Sequence, residues 1–244
     1  MPSNTLLSSL PAETLKRLLE APIPLIDRVY QEKLAQEERE RTERDWAKLR
    51  RQQTGRGGLL NFVRHFWHAL EPKDRPLVEG WPLEAICDHL EALTFGDIET
   101  NRLLINVPPG FMKSLLCSVF WPAWEWGPCA MPHMRYISFS YSDDITTRDN
   151  NKMTRLIDSP GYQQLWGDRF KMVKRGERRL ENNQTGFKLA TSVGGVSTGE
   201  RGDRILLDDP HNVIKAESDA EREKTVRFVR ESMSNRLNDS PRSW

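Results

Sequence analysis

Residues 103–116 read LLINVPPGFMKSLL. Leu103, Leu104, Ile105 and Val107 have the character of a buried strand, Pro108 and Pro109 interrupt the run, and Lys113 opens a new apolar stretch with helical spacing. A strand feeding a helix through a short turn is where a phosphate loop sits. The first backbone N–H groups of a helix lack intrahelical partners, and its dipole favours an anion. The usual pattern is G-x-x-x-x-G-K-[ST]. With Lys113 in the lysine place, Val107 and Met112 stand at the two glycine positions. Gly110, behind the rigid Pro108-Pro109, must then supply the backbone freedom those glycines give. Lys113 would reach the β- and γ-phosphates, and the Ser114 hydroxyl would bind Mg2+. Taken alone, the stretch reads equally as a plain strand-to-helix turn with a solvated lysine.

A second stretch changes that balance. RILLDDPH (204–211) is a Walker B pattern: a basic residue, three aliphatics, then two carboxylates. In open α/β sheets, ligands bind outside the carboxyl ends of the strands. Asp208 would hold Mg2+ through water, and Asp209 would orient or deprotonate the attacking water. Neighbouring strand residues point to opposite faces, so the two serve one site only if the strand ends there, as Pro210 predicts. A solvated Asp-Asp-Pro-His turn is the alternative. Together, the two stretches favour a nucleoside triphosphatase.

Around them, the pattern alternates. Segments 102–107, 135–140, 186–192 and 204–209 are expected strands. A helix is expected after Lys113, kinked or ended near Pro122, and another from a Ser142/Asp143 cap. Upstream, NFVRHFWHAL (61–70) has helical spacing, and PLEAICDHLEALTFG (82–96) is an amphipathic helix closed by Gly96. This predicts an α/β fold with a mostly parallel sheet flanked by helices. It is preceded by a charged helical arm and linker, residues 1–58, with the ATPase domain over 59–244. In the arm, AETLKRLLEA (12–21) is a short amphipathic helix. Residues 26–51 form a long helix of alternating charge, either a solvated surface or a docking arm. QQTGRGG (52–58) reads as a hinge.

Thirty-six basic residues against thirty-five acidic ones leave a net charge of +1, so any DNA contact must come from a local patch. RFKMVKRGERR (169–179) is one candidate patch or a solvated hairpin, and GGVSTGERGDR (194–204) is a glycine-rich loop before the two aspartates. Three scattered cysteines, with no C-x-x-C pair, point to a reducing cytosol and away from a disulfide frame or zinc site. No apolar run approaches the roughly 20 residues of a membrane span, and the N-terminus lacks the pattern of a secretory signal. The tryptophans at 121, 124 and 126 are expected to be core.

VPPGFMKSLL (107–116), FWPAWEWGP (120–128), ATSVGGVSTGERGDRILLDDPHN (190–212) and MSNRLND (233–239), in that order, resemble the large terminase subunit of tailed bacteriophages. The likeness runs from about residue 60 to the end. It implies an additional-strand P-loop ATPase fold and a DNA-packaging motor using ATP and Mg2+. The implied partners are double-stranded DNA, a portal protein on which the motor docks as a homo-oligomer, and a small terminase subunit. The implied setting is the host bacterial cytoplasm. Carried over by position, Lys113 and Ser114 match the Walker A pair, and Asp208 and Asp209 the Walker B pair. ATP would lie across Pro108, Pro109, Gly110, Phe111, Met112, Lys113 and Ser114. Many relatives have arginine where this chain has Gly110, so the residue that stabilises phosphate charge is open among Arg148, Arg155, Arg201 and Arg204. The family continues into a coupling strand and a metal-dependent nuclease domain. The ATPase domain is therefore expected to be incomplete on its C-terminal side, and no nuclease activity is expected from residues 1–244. A non-catalytic relic and another P-loop DNA-dependent ATPase are the rival readings.

Overall fold

The computed structural model describes residues 13, 23–193, 199–211 and 218–238, and the chain divides into two compact units, Met1–Leu49 and Arg50–Trp244. The expected short helix at 12–21 lies almost wholly outside the described residues. Helix α1 (Ile23–Gln53) is the long charged helix read from the sequence. Residues 35–45 are exposed throughout, and Gln36 donates to Glu40 one turn on at 3.1 Å.

In the larger unit, α2 (Gly58–Leu70) buries Leu59, Phe62, Val63, Phe66, Trp67 and Leu70, a stripe at helical spacing. It has no side-chain cap of its own. Glu91 of α3 (Trp81–Phe95) takes that place, accepting from the Gly57 N–H at 2.6 Å and the Leu59 N–H at 2.8 Å. Gly96 closes α3 at φ 76°, as the sequence predicts. The Gly-rich stretch before α2 is tied into the core through Gln53. Its carbonyl accepts from Trp124 Nε1 at 2.7 Å and its side-chain oxygen from Trp166 Nε1 at 3.3 Å.

Helix α4 comprises the turn Lys113–Leu115, a π-helical turn Leu116–Phe120 and the helix Trp121–Trp126, run end to end. Trp121, Trp124 and Trp126 are buried, as expected. Helix α5 (Asp143–Ile157) starts where its cap was read, with Ser142 Oγ accepting from the Asp144 N–H at 3.2 Å. Helix α6 (Pro160–Trp166) follows, and α7 runs from Asp219–Arg227 into a π-helical turn, Phe228–Met233.

The strands are β1 (Tyr136–Ser140), β2 (Met172–Arg175), β3 (Arg179–Asn182), β4 (Phe187–Ser192) and β5 (Arg204–Leu207), in the order β2-β3-β4-β1-β5. Two expectations are corrected. The sheet is mixed rather than mostly parallel: β1 pairs in parallel with β4 and β5, whereas β2–β3 and β3–β4 are antiparallel. The cause is the basic stretch around 169–179, which is a hairpin turning at Gly176 and enters the sheet with only short connections. Nor is 102–107 a strand. Residues 103–107 alternate half-buried and exposed, with Leu104 93% exposed, but join no ladder among the described residues. Leu103–Ile105 instead face Ile205–Leu207 of β5 across a cavity.

The alternation of β1 sorts the layers. Tyr136 meets Trp121 and Trp126 of α4, and Lys188, its register partner on β4, reaches Asn150 of α5. Ile137 and Phe139 point the other way, into a cluster with Phe187, Phe228 and Met233. Helices thus cover both faces. The C-terminal ends of β1, β4 and β5 are left at one edge, where the two stretches that opened the sequence reading meet.

Candidate active site

The loop before α4 gains its backbone freedom in an unforeseen way. Gly110 has φ 95°, and Met112, at the position the usual pattern gives to glycine, has φ 57°. Two left-handed positions are therefore present with one glycine. For a non-glycine residue this conformation costs about 1–2 kcal/mol. Met112 is also the N-cap of α4, and its carbonyl accepts the Leu116 N–H at 2.9 Å, so the strained residue starts the helix.

At the other stretch, β5 ends at Leu207. The Asp208 N–H still donates to the Phe139 carbonyl at 2.9 Å, and then Asp209 turns to φ 40°. That turn brings two neighbouring carboxylates to one cation: Lys113 Nζ lies 3.1 Å from Asp208 and 2.6 Å from Asp209, 96 positions away in the chain. Burial draws the Lys113 pKa down, but its bonds to Asp209 and Asp208 outweigh this and hold it above the ordinary lysine value. The ammonium is firmly charged.

All seven loop residues, 108–114, and Asp209 line one cavity of about 530 Å3, within the size range of small-molecule sites. Asp208 lines the neighbouring cavity, with Cys117 and Ser118, and Lys113 borders both. The sequence-predicted residues thus meet around Lys113: Ser114 and Asp209 line the loop cavity with it, and Asp208 lines the adjoining one. Among the described residues, no group of three or more His, Cys, Asp or Glu side chains could hold a metal. The donor set fits Mg2+ nonetheless, because that ion takes one or two protein oxygens and completes its shell with phosphates and water.

Of the rest of the cavity lining, sequence reasoning had named only Arg148 as a candidate. Trp67 and Glu71 reach it from the end of α2, and Arg148, Asp149 and Lys152 from α5. Asp149 is 3% exposed; burial raises its pKa against the pull of Lys188 and Arg148. Arg148 Nη2 is 2.9 Å from the Asp149 carboxylate, and Lys152 Nζ is 3.7 Å from Glu71. The one available signal was the i,i+4 spacing of Arg148 and Lys152, which places both on one face of a helix.

The four arginine candidates now separate. Arg204 is a core residue, its guanidinium 3.0 Å from buried Glu125. Arg155 and Arg201 are exposed and line neither cavity. Arg148 alone of the four lies in the loop cavity. The glycine-rich loop 194–204 lies partly outside the described residues. Among those described, no helix is long and apolar enough to cross a membrane.

Compared with family models the chain matches none, and no curated protein matches it.

Proposed function

We propose that the chain is an ATP-hydrolysing motor of the terminase large-subunit kind, coupling hydrolysis to the packaging of viral DNA. The observation that carries this reading is the meeting of Lys113 with Asp208 and Asp209 at the carboxyl edge of the sheet, beneath a loop with two left-handed residues. A triphosphate fits there chemically. The backbone of residues 110–112 and the start of α4 offer N–H groups, and Lys113 exchanges its carboxylate partners for β- and γ-phosphate oxygens. Ser114 and Asp208 would hold Mg2+, which when bound supplies charge neutralisation between the phosphates. Asp209 orients a water and takes its proton. The water oxygen bonds to the γ-phosphorus, the bond to the bridging oxygen breaks, and its electron pair leaves with ADP.

The partners proposed with this activity are double-stranded DNA, a portal protein, a small terminase subunit and further copies of this chain, in the cytoplasm of a host bacterium. The test is phosphate release from ATP·Mg2+ by the parent chain and by Lys113→Ala. Turnover in the parent and its loss in a folded Lys113→Ala are expected. Equal turnover in both rejects the assignment. Nucleotide binding without any release by the parent would leave a non-catalytic relic.

A further inference from the structure

The loop 108–114 itself offers one cation, Lys113, to a triphosphate. The opposite wall of the cavity holds two more. Arg148 and Lys152 stand one turn apart on α5, and each is held by a carboxylate: Asp149 for Arg148, Glu71 for Lys152. The two holdings differ. Asp149 is 3% exposed, and it receives both Nε (3.0 Å) and Nη2 (2.9 Å) of Arg148 on the same oxygen, Oδ1. That fixes the guanidinium plane, uses two of its five N–H donors and leaves the others for a ligand in the cavity. Fully buried Lys188, which donates to Asn150 at 2.6 Å, adds an attractive positive charge near the Asp149 carboxylate. Lys152, at 3.7 Å from Glu71, has no comparable clamp.

We infer that Arg148 is the ligand of the terminal phosphate, a catalytic residue aimed at it by the buried positioning residue Asp149. This rests on the ATP reading. As the bond to the bridging oxygen breaks, negative charge spreads over the three oxygens of the transferring phosphoryl group, and the fork of Arg148 meets it from the side opposite Lys113. Because α5 also packs on β1 and β4, the residue that senses the third phosphate sits on an element embedded in the sheet layer.

The experiment measures binding of ATPγS·Mg2+ and ADP·Mg2+ to the whole chain by titration calorimetry, with thermal melting as the check on folding. Charge-assisted bonds of this kind correspond to about 10- to 100-fold in affinity. Arg148→Ala is expected to weaken ATPγS at least about tenfold and to leave ADP unchanged, while Lys113→Ala weakens both. Asp149→Asn, which keeps the shape and loses the charge, should narrow the ATPγS-over-ADP preference without weakening ADP. A merely structural role would weaken both ligands together. Arg155→Ala, about two turns along the same helix and outside the cavity, should change neither. Arg148→Lys serves if the alanine variant does not fold, and it should lose part of the preference, since lysine lacks the fork. An Arg148 variant that weakens both nucleotides equally, or neither, overturns the inference and leaves the ATP reading standing. A parent chain that binds neither nucleotide removes both.

Discussion

Strand β5 carries charge at both ends, and the two ends are built for different tasks. At its start, Arg204 and Glu125 form an ion pair with side chains 6% and 0% exposed. The carboxylate is well supplied: Glu125 also accepts from Thr94 at 2.7 Å and from the Tyr136 hydroxyl, and the Arg204 guanidinium lies over the Trp121 ring, with its Nε left without a hydrogen-bond partner among the described residues. Just past its other end, Lys113 meets two aspartates, one of them 68% exposed and on a left-handed backbone. The first cluster is closed, so it serves the fold. The second is open to a cavity and strained, and a ligand can take it over. Charge alone did not separate them in the sequence, where Arg204 stood among the phosphate-binding candidates. Burial does.

The contrast can be broken by substitution. The largest effect is expected from Arg204→Met, which leaves Glu125 buried beside a neutral side chain and should cost about 3–5 kcal/mol in urea unfolding. A loss under about 1 kcal/mol would mean that the two ends are energetically alike. Next comes the strained loop. Met112→Val places a β-branched residue at positive φ and should cost about 1–3 kcal/mol, whereas Met112→Gly should stay within about 1 kcal/mol of the parent. Equal melting temperatures for the two would show the left-handed turn to be unimportant.

A third test probes the buried base on β4, the register partner of Tyr136. Burial depresses the Lys188 pKa from 10.5 to about 8. Between those values the unfolded chain holds a proton that the folded chain has released. Stability therefore rises with pH across that window and falls again as pH drops toward 8. The slope from one group is at most about 1.4 kcal/mol per pH unit. Lys188→Met should remove that part of the rise when urea midpoints at pH 8 and 10 are compared with those of the parent. The smallest effect belongs to the open end. Lys113→Ala should shift stability by about 1 kcal/mol, because its nearer partner, Asp209, is 68% exposed and water screens that pair. A loss as large as that of Arg204→Met would make Lys113 a structural residue.

Much of this was legible in advance. Strands β1, β4 and β5 are short segments rich in apolar and β-forming residues, and the Ser142 and Gly96 caps have chemistry specific to helix ends. Lys113, Ser114, Asp208 and Asp209 stood out because phosphate chemistry limits which residue types can follow a strand. Two kinds of information were hidden. Residues 102–107 have the composition of a strand, but a strand is a relation between neighbours, and composition does not supply the neighbour. β2 and β3 hid for the opposite reason: their Lys, Arg and Glu side chains look solvated, and their ladder with β4 makes them sheet. Arg148 was one of four arginines the sequence left open, and no motif marked Asp149, Lys152 and Glu71, since tertiary packing brings them to the cavity from two helices.

The π-helical turn in α4 has one more consequence. The Trp121 N–H reaches back five residues to Leu116 instead of four, so the rod holds one residue more than a regular helix of the same hydrogen-bond count. That surplus residue sets the rotational phase between the anion-facing tip and the tryptophan-bearing shaft, by about 100°. Excising a single position there would let the shaft keep its seat only by swinging the Lys113-Ser114 tip away from the aspartates. Backbone register, and not side-chain identity alone, is thus part of how this loop is aimed.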